Sequence, residues 1–221
     1  MAVSSLDDPV RGRLYEYVSR QPAPVGRDDA AAAVGIGRAL AVYHLDKLVE
    51  SGLLAASYRR PPGRTGPGAG RPAKVYARSD REFAVSVPPR EYELAARLLV
   101  DAVESDGSGR SRAALGDAAE RLGTELGEAF RAQDANCETV RQDLEMLLSE
   151  HGFEPGRGQD GTIRLRNCPF HHLAQRHRDV ICSMNLALIE GLVGGLRLRG
   201  LRPVLDPKQG NCCVAIGGEQ V

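Results

Sequence analysis

The chain has no tryptophan, only four phenylalanines and six tyrosines, and no excess of charge of either sign over its 221 residues. With aromatics at 5% and hydrophobic residues at 42%, a core is affordable, but it must be made chiefly of Leu, Val and Ala. Basic and acidic residues balance at 29 each, so any nucleic-acid contact must come from local clustering of positive charge. Long apolar runs are also missing: none approaches the roughly 20 residues that cross a bilayer. The opening MAVSSLDDPV lacks the basic-then-apolar order of a secretory signal. A cytoplasmic protein with no membrane partner is expected. Cysteine is scarce, five in all, and in a reducing compartment such residues stay as thiols. That favours metal ligation or redox sensing over a disulfide scaffold.

What is present begins with three short helical patterns. Asp8-Pro9 supplies an N-cap and a first-turn proline for a helix carrying Val10, Leu14, Tyr17 and Val18 to about Arg20. An Ala-rich helix follows from Arg27 to Val34, stopped by Gly35-Ile36-Gly37. A third begins near Arg38, carries Leu40, Val42, Leu45, Leu48 and Val49, and closes at Gly52. Leu53 and Leu54 then open a strand. This is the order of a helix-turn-helix with a wing. The wing itself, LAASYRRPPGRTGPGAGRPAKVYAR, holds Arg59, Arg60, Arg64, Arg71, Lys74 and Arg78 and no acidic residue. Its alternating ends, Ala55 to Tyr58 and Lys74 to Ala77, predict two antiparallel strands around a basic Pro/Gly tip. Such a tip can follow a DNA backbone or enter a minor groove. Gly66, Gly68 and Gly70 match neither GxGxxG nor a P-loop, which excludes a nucleotide cradle.

The segment GRALAVYHLDKLVESGLL followed by GRPAKVY resembles the winged-helix bacterial transcription regulators of the ArsR/DeoR-like group, over roughly residues 8–79. The resemblance implies that the helix before the wing enters the major groove, with Arg38, Tyr43, His44 and Lys47 on or beside its reading face. Leu45 and Leu48 are expected in the core. Such regulators read double-stranded operators as homodimers, which directs attention to the next two helices. One has Tyr92, Ala95, Ala96, Leu98, Leu99 and Val103 as an apolar face. The other, about Arg112 to Arg131, has Leu115, Ala118, Ala119, Leu122, Leu126 and Phe130. Subunit contact and ordinary packing both explain these stripes.

Past a third helix, about Glu138 to His151, the soft ligands gather. Cys137 stands alone before that helix and is expected to be a plain thiol. A hairpin between Glu154 and Asn167 delivers NCPFHHLAQRHRDVICSMNLALIE, with Cys168, His171, His172, His177 and Cys182. Cys212 and Cys213 return near the C-terminus in an apolar, strand-like run. Thirteen residues separate Cys168 from Cys182, too many for a CxxC knuckle. They suit one ligand at a helix entrance and another on the next helix, after a turn near Arg178-Asp179. Because strand neighbours point to opposite faces, one of Cys212 and Cys213, preferably Cys212, is expected to reach the centre. His177, between Arg176 and Arg178, is expected on a solvent face.

Cys-Pro-x-x-His, a second Cys about a dozen residues on, and a Gly-x-Cys segment near the C-terminus resemble the iron–sulfur-sensing winged-helix repressors of Suf operons. The matching positions are Cys168, His172, Cys182 and Cys212. A further cysteine expected just upstream of Cys-Pro is absent; Leu165-Arg166-Asn167 stands there. The fourth ligand is therefore open among His172, His171, Cys213, a carboxylate and an exogenous group. An iron–sulfur cluster is the cofactor implied, and zinc suits the same donors. No acid partner or nucleophile motif accompanies the Cys/His residues, so an enzyme is not expected, and a small organic effector is the other alternative.

The expected architecture is α+β and mainly helical. It comprises a winged helix-turn-helix DNA-binding domain over residues 1–85, a helical linker carrying the dimer interface over 86–135, and a Cys/His-rich α+β sensor domain over 136–221.

Overall fold

The structure, a computed structural model, describes residues 3–59, 72–83, 90–133, 140–158 and 160–218. It is α+β and mainly helical, with two small antiparallel sheets. The chain divides into two compact units, residues 1–90 and 91–221. The helices expected to form a separate linker thus belong to the second unit.

In the first unit, a single 3-10 turn (Val3–Asp7) leads into α1 (Pro9–Ser19). Asp8 caps α1: its carboxylate accepts from the backbone N–H groups of Val10 at 2.9 Å and Arg11 at 3.1 Å. Two orphan donors are satisfied, and Pro9 brings none of its own. α2 (Arg27–Val34) and α3 (Arg38–Glu50) follow. The turn between them passes through Gly35 at φ +72°, a left-handed conformation that a Cβ would strain. β2 (Leu54–Arg59) pairs with β3 (Ala73–Arg78) in the antiparallel register Leu54 opposite Arg78 through Arg59 opposite Ala73. β1 (Val25–Gly26) adds to the other edge of β3. Leu14, Val18, Leu45, Leu48, Leu54 and Tyr76 are buried together as the core of this unit.

The second unit is built on a helix pair. α4 (Tyr92–Ser105) precedes α5 (Arg110–Gln133), and α5 lies along α8 (Arg178–Gly195). Between them in sequence come α6 (Val140–Glu150), β4 (Pro155–Arg157), β5 (Ile163–Leu165) and the one-turn α7 (His171–Ala174). β6 (Leu201–Leu205) and β7 (Val214–Gly218) complete an antiparallel sheet of order β4-β5-β7-β6. One face of that sheet meets α6 and α8 in a core of Leu144, Leu148, Phe153, Ile163, Leu165, Ile189, Leu192 and Ile216. The α5–α8 approach is close enough to need glycine on both sides: Gly123 and Gly127 on α5, and Gly191 and Gly195 on α8, all face backbone atoms of the other helix.

The two helical stripes divide. On α5, Leu126 and Phe130 pack against the main core, Leu115 joins a smaller one with Val100, Val180 and Ile181, and Ala119 is buried. On α4, Val100 is buried, whereas Tyr92, Leu94, Leu98 and Leu99 stand 75%, 51%, 62% and 69% exposed. Ordinary packing accounts for most of the α5 stripe and, on α4, for Val100 and Val103, and leaves Tyr92, Leu94, Leu98 and Leu99 uncovered.

Candidate functional site

Three separate stretches of the second unit bring sulfur to one place. Cys168 leaves the β4–β5 hairpin just before α7, with the Asn167 amide anchored to the Gly152 carbonyl at 2.6 Å. Cys182 sits in the first turns of α8 and is buried. Cys212 is fixed by its own backbone N–H, which donates to the Leu165 carbonyl at 2.7 Å, at the end of β5. Cys213 follows, its carbonyl accepting from Asp206 N–H at 2.8 Å.

Cys212 is the hub. Its sulfur interacts with the side chains of both Cys168 and Cys213, and Cys213 in turn interacts with Cys182. The expectation that only one of the adjacent pair turns inward is corrected. Cys212 and Cys213 precede the strand, which begins at Val214, so strand alternation does not govern them. All four thiols are free.

Hydrogen bonding from the Cys168 thiol, then from Cys213, holds the Cys212 pKa well below the ordinary thiol value, against the cost of burial. The Val214 backbone and the Asn185 side chain act the same way. Cys168 and Cys213 move upward, first because each keeps its proton for Cys212 and second because each is buried. Asn185, on α8 one turn past Cys182, is completely buried and donates from Nδ2 to the Cys212 sulfur at 3.2 Å. Its Oδ1 finds no hydrogen-bond partner among the described residues.

This donor set fits a thiophilic metal centre. Four sulfurs, all from residues that can deprotonate, lie near one another, Cys182 and Cys212 buried and Cys168 and Cys213 half-buried, with Cys168, Cys212 and Cys213 against the apolar core. Tetrahedral zinc with bonds of about 2.3 Å needs sulfurs about 3.8 Å apart. Among the described residues, the trio with ligand atoms all within 4.8 Å of one another is Asp101, Glu104 and His177, and the thiols are spread more widely.

The histidines are elsewhere. The His172 imidazole pairs through Nδ1 with Glu93 of α4 at 2.8 Å, more than half exposed. His171 is exposed and contacts Gln175 at 3.0 Å. Each of these rings is engaged outside the sulfur cluster, whereas Cys213, an alternate in the sequence reading, lies beside Cys212 and Cys182. The expectation for His177 is corrected. Its side chain is only 12% exposed, bonded to Glu104 at 2.9 Å and 3.7 Å from Asp101. His172 and His177 together tie the stretch between Cys168 and Cys182 to α4.

In the first unit the candidate nucleic-acid face is α3 and the basic hairpin. Arg38 and Tyr43 are exposed, Arg38 reaching Asp28 at 3.0 Å. Lys47, partly exposed, is bonded to Glu50 at 2.7 Å. Arg59 ends β2 on an exposed position. Arg60, Arg64 and Arg71, together with Cys137, lie outside the described residues. One expectation is corrected. His44 is 7% exposed and turns toward Asp8, with Nδ1 4.0 Å from the carboxylate, so it packs beneath the helix. Lys74 bonds Asp46 at 2.7 Å and lies over the Tyr76 ring. Leu45 and Leu48 are fully buried.

No helix of the described residues is long and apolar enough to cross a membrane. Comparison with protein-family models, with curated proteins and with solved structures gives no match to this chain.

Proposed function

We propose that this chain is a sequence-specific DNA-binding transcriptional regulator whose operator binding is controlled by a cysteine-ligated iron–sulfur cluster. The observation that carries the reading is the convergence of Cys168, Cys182, Cys212 and Cys213 from three separate stretches of chain. A reducing compartment offers little reason to gather four thiols except to bind a soft metal. The first unit supports the DNA half. Its three helices and antiparallel hairpin have the order of a winged helix-turn-helix, with Arg38 and Tyr43 outward on the third helix and an arginine-rich loop between the strands.

A regulator of this kind works as a homodimer on a palindromic site, and the uncovered α4 stripe of Tyr92, Leu94, Leu98 and Leu99 is the proposed subunit contact. The cluster would act through the His172 and His177 links to α4. A change at Cys168 or Cys182 shifts the intervening segment, hence α4, hence the separation of two reading helices that must match half-sites about 34 Å apart.

The DNA half is tested by operator binding across salt. Changing Arg64 and Arg71 to Ala should weaken binding and flatten its salt dependence, since each lost phosphate contact removes about one unit of the salt slope. Unchanged affinity at low and high salt would remove the hairpin from DNA binding.

A further inference from the structure

We propose that Asn185 is a positioning residue of the proposed metal centre: its side-chain amide donates to the Cys212 sulfur and so raises the centre's reduction potential. This rests on the iron–sulfur reading above.

Asn185 is chemically out of place. The other buried positions of α8 are Val180, Ile181, Cys182, Ile189, Gly191, Leu192, Val193 and Gly195, none of them a hydrogen-bonding side chain of its kind. Among the described residues, only His44 and Asn185 are buried and polar. Of the two amide atoms, Nδ2 meets the Cys212 sulfur at 3.2 Å, while Oδ1 is left without a partner. A buried carbonyl with no donor is a standing cost, and leucine, of similar size, would avoid it. Fold stability therefore does not explain the residue. The sulfur contact does.

An N–H pointing at a ligating thiolate withdraws electron density from it. The reduced state of a metal–thiolate centre carries one more negative charge than the oxidised state, so the donor stabilises the reduced state more. Removing the donor shifts the couple to more negative potential. Asn185 is also one helical turn from Cys182, so a single helix presents both a ligand and the group that tunes its neighbour.

The test uses the full-length chain, reconstituted anaerobically with iron and sulfide, as wild type, Asn185→Leu and Asn185→Thr. Each is titrated spectroelectrochemically with dithionite supplying the electron, with iron content measured and the unloaded chains melted in parallel. Asn185→Leu should load iron fully, melt no lower than wild type when unloaded, and show a more negative potential. Asn185→Thr, which keeps a hydroxyl donor of shorter reach, should fall between. Equal potentials in all three fully loaded proteins would overturn the role of Asn185 and leave the cluster reading standing. Absence of iron from the wild type would overturn both. Should Asn185→Leu fail to fold, Asn185→Thr decides: a negative shift supports the role, and a wild-type potential overturns it.

Discussion

Gly123 on α5 and Gly191 on α8 meet backbone to backbone: a Cβ built on Gly123 would stand 3.1 Å from the carbonyl carbon of Gly191 and 2.1 Å from the Leu188 carbonyl oxygen. The reverse holds, since a Cβ on Gly191 would stand 2.1 Å from the Glu120 carbonyl oxygen. One turn on, Gly127 and Gly195 repeat the contact, a Cβ on Gly195 lying 3.1 Å from the Gly127 Cα. Glycines four apart on two helices thus form a seam with no side chains between the backbones. α8, which carries Cys182 and Asn185, is held against α5 without slack.

Gly191→Ala should destabilise the second unit by about 3 kcal/mol, because the intruding methyl meets backbone that cannot rotate away. Gly116→Ala, on the same α5 but with nothing within 4 Å of its Cβ, should instead stabilise by about 0.5–1 kcal/mol. Thermal melting of both variants checks the pair. A mild effect of Gly191→Ala would show that the helices can separate freely.

Asp46 ties the basic hairpin to α3 by accepting from Lys74 at 2.7 Å and from the Tyr76 hydroxyl at 2.9 Å. Burial opposes its charge, but the bonds from Lys74 and Tyr76 prevail and hold its pKa below the usual carboxylate value. Since the folded pKa is depressed, this stabilisation is full above the unfolded value near pH 4 and fades as pH falls through the lower, folded value. Asp46→Asn should cost about 1 kcal/mol at neutral pH, a modest figure because the carboxylate is partly exposed. In that variant the difference from wild type should shrink on acidification below about pH 4. Urea melts across pH would show it; a constant difference down to acid pH would refute it.

His177, bonded to Glu104 at 2.9 Å, and His172, bonded to Glu93 at 2.8 Å, add polar ties between the cysteine-bearing segment and α4 to the apolar packing of Val100 and Val103 against Phe170, Leu173 and Ile181. Replacing both histidines with Gln should speed backbone amide exchange in α4 several-fold, while leaving α5 and α8 protected. Protection of α4 equal to wild type would show that these pairs are idle. Leu98→Glu with Leu99→Glu probes the outer face of the same helix: the pair should convert a dimer to a monomer by light scattering, and a chain monomeric before substitution would withdraw the proposed subunit contact.

Local chemistry made much of this fold legible. Asp8-Pro9 marked the start of α1, Gly35 the turn before α3, and alternation the β2–β3 pairing, because each depends on residues close in sequence. β1 escaped notice because two residues, Val25 and Gly26, carry no period; only pairing with β3 makes them a strand. His44 was misplaced for a related reason. It lies one position from exposed Tyr43, and only the carboxylate of Asp8, brought in by α1, shows which way it faces. At the sulfur site the three segments were readable as soft-ligand runs, but the choice among donors was not. His172 has a Cys-Pro-x-x-His spacing that invites ligation, yet α4 supplies a carboxylate that captures it. Asn185 carries no sequence signal at all, since its contact is with Cys212, 27 residues away.

The most direct test of the account is the metal content and visible spectrum of anaerobically prepared protein, wild type beside single Ser replacements of Cys168, Cys182, Cys212 and Cys213. Iron and acid-labile sulfide with a broad absorption band are expected in the wild type, lost or strongly reduced in each of the four, and retained in Cys137→Ser. Colourless wild-type protein free of iron and sulfide, or full iron in all four variants, would contradict it.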